Sequence, residues 1–259
     1  MESTFCSPHL RRYWFYPRRA NFLRDRSAFD NWVMLIAEDG SFAYDVEGER
    51  GIAGFGDLVV CRPNVEFWRH VQSTLSYHVI QFCWHDGEGN EVEPEMPVGR
   101  YPVREVGRLS MNLAELRALW EKQDAWSRRY KDHLLQDIWH LAVKSQRTLP
   151  RRADTAMQKV AQQLQLRAGE TLSMKEISDA VQLTPVQFTR RFQSALGQTP
   201  SDYLTSLRLH KARTLLLETD WTLQRIAQEC GYSSGLYLNR VFRQKMQITP
   251  GQFRKAQRV

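Results

Sequence analysis

The sequence predicts an α+β fold in two parts: a β-barrel or jelly-roll domain with amphipathic helices over 1–148, then an all-α domain over 149–259. Three observations predict it. Short β-branched and aromatic runs crowd residues 30–105, helical spacing takes over after Leu109, and the last hundred residues carry one helical pattern twice. With 259 residues, 42% of them hydrophobic and 25% charged, the chain has globular composition and room for two ordinary domains.

The strand signals come first. Residues 42–46, 58–61 and 77–84 are short runs rich in β-branched and aromatic side chains. Turn formers punctuate them at Asp39-Gly40, Glu47-Gly48, Gly56-Asp57, Pro63-Asn64 and Gly87 to Asn90. Many short strands at regular spacing suit a closed or double-layered β architecture. The acidic, proline-containing run Glu88 to Pro97 reads as a surface loop. Ahead of the first of these strands lies an aromatic and cationic segment with Phe5, Tyr13, Trp14, Phe15, Tyr16 and Phe22 among Arg11, Arg12, Arg18, Arg19, Arg24 and Arg26. It reads equally as an arm folding over the barrel mouth and as the first barrel strands.

Helical periodicity begins with Leu113, Leu116 and Trp120 and continues through Leu134, Leu135, Ile138, Trp139 and Ala142. This predicts a pair of amphipathic helices, or one interrupted helix, over 110–146. Its apolar stripe suits packing on the barrel or against a second subunit, and as a dimer face it makes the chain a homodimer. Ser145 to Arg152, around Pro150, reads as a linker.

Beyond the linker the pattern repeats. Ile177-Ser178, Leu183-Thr184, Phe188, Arg190 and Phe192 are echoed by Ile226-Ala227, Tyr232-Ser233, Leu238, Arg240 and Phe242, and the units close on Thr199-Pro200 and Thr249-Pro250. In each, a short helix, a turn and a second helix follow one another. Thr184, and Ser233 or Ser234, suit the N-cap of the second helix, Pro185 suits its first position, and Gly231 suits a turn needing positive φ. Gln182 stands where the first unit would have that glycine.

Charge separates the halves. Residues 1–150 carry 19 Lys/Arg against 21 Asp/Glu, whereas 151–259 carry 17 against 8, a net +9. A domain so biased favours a polyanionic partner. With Phe188, Phe192, Leu238 and Phe242 turned to the core, the opposite helix faces carry Val186, Thr189 and Arg190, and Leu236, Asn239 and Arg240. Arg pairs with guanine, Asn with adenine, and apolar groups with the thymine methyl, so these six are the candidate base contacts in double-stranded DNA. Thr184, Ser233, Arg243 and Lys245 are the candidate phosphate contacts.

These residues carry a resemblance. Residues from about 155 to 257 resemble the DNA-binding domain of AraC/XylS family transcriptional regulators, through Ile226-Ala227, Gly231-Tyr232-Ser233, Leu238, Arg240, Phe242-Arg243, Ile248-Thr249-Pro250 and Phe253-Arg254. The first unit matches more loosely, and Gln247 departs from the family's usual glycine. The resemblance implies seven helices, with two helix-turn-helix units joined by a long helix over 201–218. It extends more weakly to a cupin-like sensing half through Gly40 to Tyr44, Gly56-Asp57-Leu58 and Pro63. The expected fold is thus a cupin-like β-barrel with amphipathic helices before an all-α domain of two helix-turn-helix units. Residues 1–148 would sense an effector and dimerise, and 149–259 would bind DNA, with RNA polymerase a further partner.

Seven of the eight tryptophans precede residue 140. An indole face stacks on the apolar face of a sugar ring, so Trp32, Trp68 and Trp84 are the candidate effector contacts, and core packing is their alternative reading. A second reading of the N-terminal half is a domain that only dimerises. The rival class is a cupin-type metal enzyme, but His78 and His85 lie seven apart on one strand and so face opposite sides. No Ser/His/Asp set, phosphate loop or nucleotide fingerprint appears, so no catalytic residue, metal ligand or cofactor is expected. Cys6, Cys61, Cys83 and Cys230 have no paired spacing and read as reduced thiols. With no leader pattern and no long apolar run, the expected location is the cytoplasm, away from membranes.

Overall fold

The computed structural model describes residues 6–147, 154–246 and 248–257. The chain divides into two compact units, Met1–Thr148 and Leu149–Val259.

The first unit is an antiparallel sheet backed by two helices. Its strands are β1 (Ser7–Arg19), β2 (Arg26–Ser27), β3 (Trp32–Val46), β4 (Glu49–Gly54), β5 (Asp57–Cys61), β6 (Phe67–His85), β7 (Glu91–Val92) and β8 (Gly99–Pro102). Pairing runs β1-β6-β3-β5-β8, with β2 and β7 on β6 and β4 on β3. The predicted strands at 42–46, 58–61 and 77–84 fall within β3, β5 and β6. Within the loop predicted over 88–97, Glu91 and Val92 form a short strand against Trp84 and His85.

Residues 7–19 form a paired strand. β1 runs antiparallel to β6 from Ser7↔His85 to Arg19↔Leu75. Of the two readings of the N-terminal segment, the structure has the strand; Phe5 lies outside the described residues. A second difference is at Asp39-Gly40, which does not turn the chain. It is a bulge inside β3, where the register against β6 slips between Ala37 and Ser41. Gly40 has φ 78°, and a Cβ there would sit 2.2 Å from the Thr74 carbonyl oxygen, so only glycine fits. Glu47-Gly48 does turn β3 into β4, with φ of 53° and 86°.

Alternation along the strands fills both faces of the sheet. Val33, Leu35, Ala37, Phe42, Val59, Phe67, Leu75 and Tyr77 form one apolar cluster. The intervening Met34, Ile36, Leu58, Ile80, Phe82 and Trp84 are fully buried as well. Helices α1 (Val106–Ala118) and α2 (Ala125–Arg147) pack on one another, and α2 packs on β1 and β8. Trp139 of α2 meets Trp84 edge-on, with ring centroids 5.1 Å apart. Leu113, Leu116, Leu135, Ile138 and Ala142 are fully buried, each burial being worth about 1.5–3 kcal/mol for a large apolar side chain. The stripe offered as a dimer face is therefore buried within its own unit, and Trp120, 41% exposed, is its exception.

A polar chain is buried in the first unit. The Tyr13 hydroxyl lies 2.8 Å from His78 Nδ1, His78 Nε2 lies 3.3 Å from Glu38 Oε2, and Arg117 Nη1 donates to the same oxygen at 3.1 Å. Burial, and then the Glu38 charge, push the Tyr13 hydroxyl well above its ordinary pKa.

The second unit is helical: α3 (Thr155–Leu166), α4 (Met174–Ala180), α5 (Pro185–Leu196), α6 (Pro200–Glu218), α7 (Leu223–Glu229), α8 (Gly235–Met246) and α9 (Pro250–Gln257). Among the described residues these match the seven helices that the resemblance implies, with α6 as the long one. Tyr203 of α6 packs on Phe192 of α5, at 5.7 Å between rings. Further along, Leu209, Ala212, Leu215 and Leu216 enter a core with Ile226, Tyr232, Leu238, Phe242 and Phe253. One helix thus belongs to both halves of the repeat. Of the linker predicted over 145–152, residues 145–147 end α2, and the rest lies outside the described residues, as does Gln247.

Candidate nucleic-acid interface

Each repeat turns through the same motif at the end of its first helix. In the first, Leu183 N donates to Ser178 O at 3.0 Å and Gln182 N to Asp179 O at 3.0 Å. In the second, Tyr232 N donates to Ala227 O at 2.8 Å and Gly231 N to Gln228 O at 3.1 Å. These paired six- and four-residue closures are a Schellman ending, which requires a left-handed residue between the helices. Gly231 supplies it with φ 73°, and Gln182 adopts φ 56°. The first unit therefore makes the same turn with a side chain that disfavours it.

The second helices start on side-chain caps. Thr184 Oγ1 accepts from Gln187 N, and Gln187 Oε1 accepts from Thr184 N at 3.1 Å, a reciprocal capping box behind Pro185. Ser234 Oγ accepts from Tyr237 N at 3.2 Å, so of the two serines it is Ser234 that caps α8. Ser233, left exposed just ahead, stays among the phosphate candidates with Thr184, whose hydroxyl is engaged in its own cap.

The base-contact candidates come together as two matching faces. Phe188, Phe192, Leu238 and Phe242 are buried. Opposite them, Val186 is 69% exposed and Leu236 84%. Thr189 and Asn239 are half-buried, and Arg190 and Arg240 are exposed. The same three environments recur fifty positions apart. Among the described residues, these two are the most exposed large apolar side chains of the second unit. The Thr189 hydroxyl donates to Pro185 O at 2.8 Å, which leaves its methyl and its acceptor capacity for a partner.

The cations differ in freedom. Arg243 is exposed. Lys245 Nζ reaches Asp202 Oδ1 at 3.3 Å, and with Thr199 this holds the Asp202 carboxyl below its usual range, the Thr199 hydrogen bond being the larger cause. Arg191 grips Asp154 through Nε at 2.5 Å and Nη2 at 3.0 Å, tying α5 to the start of α3. Two residues beyond the sequence reading contribute. Tyr237, 44% exposed, lies under the Arg240 guanidinium at 5.1 Å, within cation–π reach. Arg208 of α6 donates to Ala168 O at 2.9 Å and Glu170 O at 2.6 Å, fastening the loop after α3 beneath Gly231. Tyr237 could have been found by aligning it fifty positions after Gln187; Arg208 carries no such signal.

The effector candidates do not converge. Trp32 and Trp84 are buried edge-to-face, 6.0 Å apart, in the sheet core. Trp68 lies elsewhere, stacked on His70 and lining an open cleft of about 680 Å³ with Tyr44, Asp45, Glu47 and Arg50.

Two capped helices presented on one domain by Schellman turns define a tandem helix-turn-helix protein. Residues 177–256 match a family described as a helix-turn-helix domain. By this match the chain carries a helix-turn-helix domain in its second unit, the part whose sequence resembles the AraC/XylS regulators. It is 29% identical over 102 residues to the regulatory protein PocR of Salmonella typhimurium, a match covering 39% of this chain and 34% of PocR. It is 36% identical over 83 residues to the regulator CdhR of Pseudomonas aeruginosa, covering 32% of this chain and 25% of CdhR. Among solved structures, the C-terminal domain of the response regulator AraT from Geobacillus stearothermophilus is 26% identical, with 40% of this chain and 88% of that one covered and a TM-score of 0.39. The chain thus spans about a third or less of the length of these curated relatives. Among the described residues, no helix is long and apolar enough to cross a membrane.

Proposed function

We propose that this chain is a sequence-specific, DNA-binding transcription regulator that reads two major-groove segments with α5 and α8. The observation that carries this is the matched pair of exposed faces, Val186/Thr189/Arg190 and Leu236/Asn239/Arg240, on a unit of net charge +9. Each face offers an apolar group, a short polar group and an arginine, the set that distinguishes base pairs by methyl contact and bidentate hydrogen bonding. The exposed Ser233, Thr184 and Arg243, with Lys245, would hold the phosphates on either side. Selection of binding sites from random duplexes, followed by footprinting, tests the reading. It should return a bipartite site with two protected major-groove segments on one side of the duplex, about one turn apart. Enrichment of a single short segment would overturn it.

We further propose that the sheet of the first unit is a cupin-like barrel and that a small polyhydroxylated molecule, such as a sugar, is the effector. The Trp68 cleft supports this, because an aromatic face beside Asp45, Glu47 and Arg50 offers both stacking and hydrogen bonds to hydroxyls. Trp32 and Trp84 then act as packing. A homodimer remains part of this reading, with Met111, Trp120 and Trp126 as the exposed apolar groups around α1 and α2. A thermal-shift screen of the chain against sugars, and sedimentation at tens of micromolar, test these two points.

A further inference from the structure

Three donor atoms of unlike chemistry meet where β6 lies between β1 and β7. Cys83 and His85 stand two apart on β6 and project from the same face. Register brings Glu91 of β7 opposite His85, and His9 of β1 opposite Cys83. The ligand atoms of Cys83, His85 and Glu91 all lie within 4.8 Å of one another. Cys83 is 4% exposed, whereas Glu91 reaches solvent.

We propose that Cys83, His85 and Glu91 bind one divalent transition-metal ion of the zinc class. Metal–sulfur and metal–nitrogen bonds of about 2.3 and 2.0–2.1 Å in tetrahedral geometry set the two ligand atoms about 3.6 Å apart. Cys83 Sγ and His85 Nε2 are 3.5 Å apart, at ligating separation already. A thiolate with an imidazole selects a borderline-soft ion over magnesium or calcium, which take oxygen ligands. Three protein ligands leave a fourth position for water or an added ligand.

The surroundings fit this use. His9 stacks on the His85 ring at 4.2 Å and 20°, and its own Nδ1 lies 3.7 Å from Asp132 Oδ2, so the His85 ring plane is held from one side. Arg11 Nη2 donates to Glu91 Oε2 at 2.5 Å, a solvent-exposed ion pair that leaves the carboxylate further lone pairs with which to ligate. Binding exchanges the Cys83 S–H proton, released to solvent, for the sulfur–metal bond. His78 takes no part; it faces the other side of the sheet, between Tyr13 and Glu38. The site shares no residue with the Trp68 cleft, so it stands whether or not that cleft takes an effector.

Cobalt(II) titrated into the reduced, untagged full chain tests the site, because a bound thiolate gives a sulfur-to-cobalt charge-transfer absorption. One equivalent should saturate the band, and zinc should abolish it by displacement. Cys83→Ser should remove the band. Glu91→Gln changes an exposed side chain and leaves the fold intact by circular dichroism, yet should weaken cobalt binding by at least about tenfold, the loss expected even for an outer-shell partner. A parent chain that develops no charge-transfer band, or a Glu91→Gln chain that binds cobalt as tightly as the parent, overturns the proposal.

Discussion

Gln182 and Gly231 hold the same place in the two inter-helix turns, one at φ 56° and the other at φ 73°, although only one of them is suited to it. The turn geometry is set by the Schellman hydrogen bonds around it, and the side chain has to follow.

A stability prediction follows from that mismatch. Gln182→Gly should raise stability by about 1 kcal/mol, since a left-handed conformation costs an L-residue roughly 1–2 kcal/mol and glycine loses part of that gain in chain entropy. Gly231→Ala should do the reverse by about 1–3 kcal/mol or more. A Cβ there would come within 2.8 Å of Glu170 O and of Arg208 Nη2, and 3.0 Å of Ala168 O. Urea unfolding of the full chain, followed by helical circular dichroism, measures both; a destabilised Gln182→Gly chain would contradict the account.

Base reading and charge should separate in binding titrations. Arg240→Ala should cost about 1–3 kcal/mol on the selected site and relax preference at one position, and Arg190→Ala should do so in the other half-site. Lys245→Ala should weaken all duplexes alike and reduce the salt slope by about 1. Equal losses on specific and random DNA for Arg240→Ala would remove it from the base-reading set.

Acid should loosen the second unit through Asp154. Its carboxyl titrates below the usual range, chiefly through its hydrogen bond from Arg191 and then through the α3 cap at Met157 N. Because the folded pKa is depressed, the stabilisation is fully present above the unfolded value of about 3.9 and is lost as pH falls through the folded pKa. Asp154→Asn keeps a capping side chain and removes the charge, so it should flatten the acid limb of a stability-versus-pH profile. An unchanged acid limb would show that this pair contributes nothing.

Trp68 and Trp84 should respond to substitution in opposite ways. Trp84→Ala should destabilise the chain by about 3–5 kcal/mol with no ligand present, as for a large core side chain. Trp68→Ala should change unliganded stability little. It should abolish the stabilisation that a cleft ligand gives, about 2.7 kcal/mol at a concentration one hundred times Kd. Thermal melts with and without ligand read both effects.

The helical half was legible because its signals are local. Buried aromatics four apart, hydroxyl caps and a glycine at a turn sit within a dozen residues of one another. The sheet hid more. In β1 the apolar side chains Tyr13 to Tyr16 are consecutive, since both faces are covered, and the flanking arginines make the strand look like a tail. Gly40 reads as a turn because a bulge and a turn both need positive φ. The Trp residues could be named but not sorted, because the same indole suits a core or a cleft. Cys83, His85 and Glu91 became a group only through the cross-strand register, which depends on where β7 folds back.

Helix α6 gives the second unit a stiff spine. Its 19 residues span about 28 Å without a break, and its two ends are bonded into the cores of the two halves. Such a spine cannot stretch or rotate to follow its target. One base pair inserted between the two recognised segments moves the second by about 3.4 Å and turns it by roughly a tenth of a revolution around the duplex. The duplexes this unit selects should therefore differ freely in the letters between their half-sites while keeping the count of those letters constant, as keys cut from one blank share the spacing of their notches.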